Sequence, residues 1–222
     1  MGTLIVLLRR AKQIFQTERL TPLVRSAFAF MVRRLFRHET YYLHEFEIKY
    51  IAKLNEADFM PNIDNFTFKI ISTNQQADEL EAQGLEFRSQ IANARKMLDK
   101  GAIAYCIFVG RELANIGWAA MSEEAKKLID LLPYKVDFSA NEVCEGGVWT
   151  NPKYRQRGLH GYNDFKRRQF QLERGLVIGR GAIRKGNIAS LRGNARFNPK
   201  IYAEGRYLKI LWWKWWKEKP LA

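Results

Sequence analysis

Cysteine and histidine are scarce in this sequence. Its two cysteines, Cys106 and Cys144, both stand in apolar, strand-like surroundings. A disulfide framework needs more of them and a zinc site needs closer spacing, so buried thiols in a reducing compartment is the plain reading. The three histidines, His38, His44 and His160, share no metal-ligand spacing, and no metal is expected. Long apolar runs are missing as well. Thr3–Leu8 is far too short to cross a bilayer. It precedes Arg9 and Arg10, the reverse of the charge order in a secretory signal, and Val6 stands where a myristoylation signal wants Ser or Thr. A cytoplasmic protein is therefore expected, with attachment to the inner face of the membrane as a variant of that reading. Acidic residues are the minority: 23 against 37 basic ones, for a net charge of +14. That balance favours an anionic partner, whether nucleic acid, a membrane surface or a phosphate-rich cofactor.

What is present is ample material for a core. The chain has 222 residues, 47% of them hydrophobic, which suits one domain with an extension. Residues 4–15 and 19–36 read as two amphipathic helices, with Leu4, Leu7, Leu8, Ala11, Leu20, Leu23, Val24 and Ala27 on the apolar stripe and arginines opposite. We take 1–40 as a basic helical extension and 41–222 as the main domain. The extension suits an anionic membrane; equally, its stripe can pack on the protein's own core or on a second copy in a homodimer.

Beyond it, strands are expected at 41–48 and 66–71, helices at 75–83 and 88–99, and a hairpin at 102–109 and 115–121. A short helix at 123–132 follows. Then come a strand at 142–150, a helix at 158–174, a strand at 176–182, a helix at 187–196 and a strand at 200–211. The strand–helix–strand unit predicts a mixed sheet of α/β (α+β) class whose parallel part lies near 142–182. The tail, Trp212-Trp213-Lys214-Trp215-Trp216-Lys217, suits a membrane interface, base stacking or sugar stacking, or an edge strand packed on the first helices.

The chemistry concentrates in Glu142–Gly161, which reads EVCEGGVWTNPKYRQRGLHG. Gly146 and Gly147 inside a strand predict a bulge, which would splay it from its parallel neighbour and open a slot for an extended, amide-bearing ligand. Next, Arg155-Gln156-Arg157-Gly158 forms a basic turn where a helix begins. Free N–H groups and the helix dipole make that an anion cradle. Pyrophosphate at one end and a peptide-like arm at the other describe coenzyme A. Glu142 and Glu145 differ by three positions, so a regular strand points them to opposite faces.

Thr150-Asn151-Pro152-x-Tyr154-Arg155-x-Arg157-Gly158 resembles the coenzyme A signature of the GCN5-related N-acetyltransferase (GNAT) superfamily. Residues 183–199, with Asn187, Ser190 and Phe197, are similar to that family's next helix. The match covers about residues 65–210 and departs at His160, where the signature ends in Gly or Ala and Gly161 comes one place late. The resemblance implies a GNAT-like mixed sheet with splayed parallel strands. It implies acetyl-coenzyme A as donor and a primary amine as acceptor. The backbone of Val148, Trp149 and Thr150 would pair with the pantetheine arm. The amides of Gln156, Arg157, Gly158, Leu159, His160 and Gly161 would hold the pyrophosphate, with Arg155 adding charge. Asn187 would contact the cofactor and Ser190 support it. Glu145 is the preferred general base, with Glu142 the other carboxylate on the strand. Asn194 occupies the place of the family's acidic tyrosine, and Tyr202 is the nearest tyrosine in sequence. The basic, aromatic flanks suit an amino sugar as the amine. A longer acyl donor used at a membrane and a non-catalytic nucleic-acid module are the alternatives; the second leaves Gly146-Gly147 unexplained and shows no nucleic-acid fingerprint.

Overall fold

In the computed structural model, residues 35–221 are described. The two expected N-terminal helices lie outside these residues, save that the second was carried to residue 36. There a strand, β1 (Phe36–Glu47), begins instead, five residues ahead of the expected start. The expected boundary at residue 40 therefore falls inside β1. Two short 3-10 helices follow it, Ile48–Lys53 and Glu56–Phe59. The remaining elements are β2 (Phe66–Ile71), α1 (Asn74–Ala82), α2 (Ala94–Asp99), β3 (Ala102–Val109), β4 (Glu112–Ala120) and α3 (Glu123–Ile129). They continue with β5 (Glu142–Thr150), α4 (Leu159–Glu173), β6 (Ile178–Arg184), α5 (Ile188–Ala195), β7 (Lys200–Ile210) and β8 (Trp213–Pro220). Two helix starts show ordinary capping: Thr73 accepts from the Gln76 N–H and Ser122 from the Ala125 N–H.

The strands form one eight-stranded sheet in the order β2-β3-β4-β5-β6-β1-β7-β8. It is antiparallel throughout except at β5–β6, the expected parallel pair. The expected α/β mixed sheet flanked by helices is thus the observed one. The sequence reading had no place for β1, which inserts between β6 and β7, antiparallel to both. The Trp-rich tail is the edge strand β8, antiparallel to β7. One core lies against α1, α2 and α3 and includes Leu43, Phe87, Ala104, Trp118 and Tyr134. On the other face α4 packs with Phe46, Phe59, Tyr105 and Phe165. β3 and β4 are buried on both faces, which is why they read as unbroken apolar runs.

The tail is locked to the sheet by one tight contact. A Cβ on Gly205 would lie inside the Trp216 ring, so only glycine lets that indole cover β7 and reach the Tyr41 ring, 6.5 Å away between centroids. Gly205→Ala will displace Trp216 and destabilise the fold by about 1–3 kcal/mol. Urea titration checks this: in a Trp216→Ala background the same substitution will cost under about 0.5 kcal/mol, because the coupled contact is gone.

Candidate active site

The expected bulge is present. Trp118 pairs with Gly146 and Ile116 with Trp149, so Gly117 alone faces Gly147 and Val148. Gly147 has φ +60, and a Cβ there would sit 2.9 Å from Trp118 Cδ1, so conformation and space both require glycine. β5 and β6 pair only at Glu142–Ile178, Val143–Gly179 and Cys144–Arg180, then part. Val148, in the middle of an eight-stranded sheet, is consequently 43% exposed. Beyond Cys144 the β6-facing edge of β5 has no strand partner among the described residues, and Val148 lies beside this open slot.

The slot leads to the basic turn. Gln156 (φ +62) and Gly158 (φ +79) both take left-handed conformations before α4 begins. Among the described residues, the N–H groups from Gln156 to Gly161 find no hydrogen-bond acceptor; the first helical bond runs from the Tyr162 N–H to the Gly158 carbonyl. Arg155 and Arg157 are exposed beside them. A turn built this way is a concave donor surface for an anion. Gly158 also closes the turn against a neighbouring segment. Its missing Cβ faces Pro61, whose Cα would be 3.4 Å away, and Asn62 N–H donates to the Arg157 carbonyl at 2.9 Å. The 60–62 segment thus buttresses the turn from behind.

Glu142 and Glu145 do point to opposite faces. Glu145 enters a buried cluster under the slot. Its Oε2 is 2.9 Å from Arg168 Nη2 and 3.1 Å from Arg167 Nη2, while Asp164 Oδ1 takes a second bond from Arg167 at 2.8 Å. The Arg168 guanidinium lies between the Phe46 and Phe197 rings, 4.1 and 4.2 Å from their centroids. Gly179 and Gly181 make this closeness feasible: a Cβ on the first would meet Glu145 Oε1 at 3.1 Å, and on the second His44 Nε2 at 2.9 Å. Burial alone would raise the Glu145 carboxyl, yet the two arginines hold it below its ordinary value. A fully buried carboxylate, twice paired and held ionised, is a poor proton acceptor. The base role expected for Glu145 does not fit, and the residue is an anchor. Two polar atoms of the cluster without a hydrogen-bond partner among the described residues, Arg167 Nη1 and Asn163 Oδ1, lie against Gly117 opposite the bulge.

Glu142 belongs to a cavity of about 300 Å³ on the other face, lined by Lys135, Asp137, Glu142, Arg180, Tyr202 and Glu218. It sits where β5 and β6 are still paired, at the base of the slot. Arg180 grips Glu142 with two bonds, 2.6 and 2.7 Å, and reaches Glu45 at 2.9 Å. The Tyr202 ring lies 5.1 Å from its guanidinium. Burial would raise the Glu142 carboxyl, but Arg180 holds it down; the Tyr202 phenol is pushed up by burial, with Arg180 opposing. Tyr202 and Glu142 are thus brought together. Asn194 is not with them: its side-chain amide donates to the Ser190 carbonyl at 2.9 Å inside α5. Asn187 is exposed and caps α5 by accepting from the Ser190 N–H at 3.3 Å. His160 lies 3.6 Å from Asp164 and faces Gly193 of α5.

The residues missed in the sequence are His44, Asp164, Arg167, Arg168 and Arg180. A signal existed: His160, Asp164 and Arg168 recur every four residues, as do Asn163, Arg167 and Gln171, which puts a polar stripe on the buried side of a helix.

No family model matches the sequence, and neither does any curated protein. Solved structures do. A Drosophila protein is similar over 86% of this chain and 58% of its own, at 12% identity and a TM-score of 0.50. A tandem GNAT protein from the clavulanic acid biosynthesis pathway is similar over 89% and 59%, at 13% identity and a TM-score of 0.50. This chain therefore spans under three fifths of either.

The buried cluster makes stability depend on pH. Burial pushes His44 down to about 4, so it folds neutral, and Glu145 and Asp164 fold ionised with lowered values. Below pH 6.5 the unfolded chain takes up the His44 proton more readily than the folded one, and the carboxylates act in the same sense at lower pH. Urea unfolding free energy is expected to be level above about pH 6.5 and to fall towards pH 4, by about 3 kcal/mol from His44 alone. Glu145→Gln will cost about 3–5 kcal/mol at pH 7, since two buried guanidinium groups lose their shared counter-charge. A cost under about 1 kcal/mol would show the pairing to be incidental.

At these identities the likeness to solved structures speaks for architecture alone, and together with the parted parallel strands it shows that the chain has the GCN5-related N-acetyltransferase fold.

Proposed function

We propose that this protein transfers an acetyl group from acetyl-coenzyme A to a primary amine of a small molecule. The observation that carries the reading is the break between β5 and β6, leaving Val148 exposed in mid-sheet and leading to the unpaired N–H groups of Gln156–Gly161. An extended arm carrying amides fits the first part and a pyrophosphate the second. The tandem GNAT protein, similar in fold, is a structure named as being without acetyl-coenzyme A, and that mention supports the same donor here.

The donor would supply an activated acetyl thioester. The chain's own residues would then do four things. Gln156–Gly161, Arg155 and Arg157 hold the phosphates, and the slot walls at Val148–Thr150 align the arm. The cavity at the base of the slot receives the amine: Asp137, Glu142 and Glu218 outnumber Lys135 and Arg180 there, which favours a cation entering as ammonium. Glu142, held ionised by Arg180, attracts that cation, which gives one proton to solvent so that a neutral amine attacks. As the amine nitrogen bonds to the acetyl carbon, the carbon–sulfur bond breaks and the sulfur needs a proton. Tyr202 is the hydroxyl on the cavity wall, kept protonated by burial; we assign it to give that proton to the sulfur and to regain one, through solvent, from the nitrogen as the amide forms.

Saturating acetyl-coenzyme A is expected to raise the unfolding midpoint by about 5 °C or more, from mass action on the native state. Reversing two exposed charges, Arg155→Glu with Arg157→Glu, will abolish the rise and leave the ligand-free midpoint in place. An unchanged midpoint in the parent chain with any acyl-coenzyme A would overturn the reading. Tyr202→Phe will keep the ligand-induced rise and lower turnover, measured against a panel of amines, by about 100-fold or more.

A further inference from the structure

The β7–β8 hairpin and the start of β1 carry a graded surface that the acyl-transfer reading does not use. Directly paired residues of antiparallel strands point to the same face. Phe36, Ile210 and Trp213 therefore form one row across three strands, and His38, Leu208 and Trp215 the next. Thr40, Arg206 and Lys217 make the third row, and Tyr42, Glu204 and Lys219 the fourth. Rows on one face are about 7 Å apart. Phe36 is 52% exposed, Trp213 51% and Trp215 40%, while Trp212 at the hairpin tip is 85% exposed. On the opposite face of the same strands, Tyr41, Tyr207 and Trp216 pack into the core. The surface runs from aromatic at the tip to cationic within three rows.

We propose that this hairpin docks on an anionic lipid surface. The tip residues Leu211, Trp212 and Trp213 would enter the interface, and Arg206, Lys217 and Lys219 would meet the headgroups. Trp at the interface with Lys and Arg just behind is the order a bilayer demands. Charge decides between occupants. Residues 1–34 carry Arg9, Arg10, Lys12, Arg19, Arg25, Arg33 and Arg34 against the lone acid Glu18, and a second copy brings +14. Either would set positive charge against the Arg206–Lys217 row, whereas anionic lipid neutralises it. Position agrees. β6 ends at Arg184, paired with Tyr41, so Phe36–Thr40 and the hairpin tip project past the open end of the slot. Docking would then turn the slot mouth towards the membrane. This inference stands on the surface alone and does not require acyl transfer.

Sedimentation of the full chain with phosphatidylcholine vesicles, with and without phosphatidylglycerol, tests it. Binding is expected only with phosphatidylglycerol, together with a blue shift of tryptophan emission. Trp213→Ser with Trp215→Ser, and separately Arg206→Glu with Lys217→Glu, will each weaken binding by about tenfold or more and leave the unfolding midpoint in place. No binding by the parent chain overturns the proposal. So does binding that both variants retain, which would assign it to other residues. A midpoint lowered by many degrees in the tryptophan variant would mean the chain covers this face itself, and a dimer turned monomer would mean a second copy does; both outcomes overturn it. Salt-sensitive oligonucleotide binding in place of vesicle binding would count equally against it.

Discussion

Four buried charges under the sheet set the shape of this molecule. Glu145 and Asp164 face Arg167 and Arg168, so the cluster is neutral as a whole though each member would be costly to bury alone. Its location matters more than its strength. Glu145 is the first residue of β5 beyond the last pair with β6, and it fills the space beside Gly179 and Gly181. The charged side chains thus pack on one face of the sheet at the point where the β5–β6 ladder ends. The parting of β5 from β6 coincides with the ion group on one face and with the Gly147 bulge in the backbone.

That parting divides labour between the two faces. On the α4 side the cluster is closed and its carboxylates stay ionised. On the other side the strands still pair at Glu142 and Cys144, and a cavity gathers Glu142, Arg180 and Tyr202 at the root of the slot. A carboxylate three residues along a strand changes face, so a single segment supplies both an anchor and a cavity wall. Both carboxylates are held below their ordinary values by arginine. Neither is suited to take a proton near neutrality, which moves the acid–base question away from β5 and towards the hydroxyl of Tyr202 and water in the cavity.

Much of this was legible in the sequence, and the division is physical. The bounds of β5, its bulge, the start of α4 and the parallel partner are local events, written in Gly146-Gly147, in Asn151-Pro152 and in Gly158. β1 was read as a strand, but its neighbours were not foreseen, because insertion between β6 and β7 is a long-range choice that no local pattern encodes. Its early start was hidden too, since Phe36–Thr40 continues an amphipathic pattern that also suits a helix. The ion cluster was missed for another reason: arginine on a helix is ordinarily solvated, and only the four-residue recurrence on a buried side marks Arg167 and Arg168 as exceptions. Glu145 was given the wrong task because a glutamate beside glycines in a strand looks accessible until its guanidinium partners are placed.

The unpartnered atoms of the cluster bear on why charge is kept there. Apolar residues of similar volume often stabilise a core as well as a buried ion group does or better, so net stability is a weak reason for four charges. Direction is a stronger one. Arg167 spends Nη2 on Glu145 and Asp164, which fixes its plane and leaves Nη1 against Gly117, beneath the bulge. Asn163 likewise gives its amide N–H to the Tyr105 carbonyl at 2.7 Å and leaves its oxygen against the same glycine. A donor and an acceptor are thus held beside Gly117, the β4 residue that faces the Gly147–Val148 bulge. A leucine at either position would pack as well and offer neither, and that difference, rather than stability, is what an ionic floor under the slot supplies.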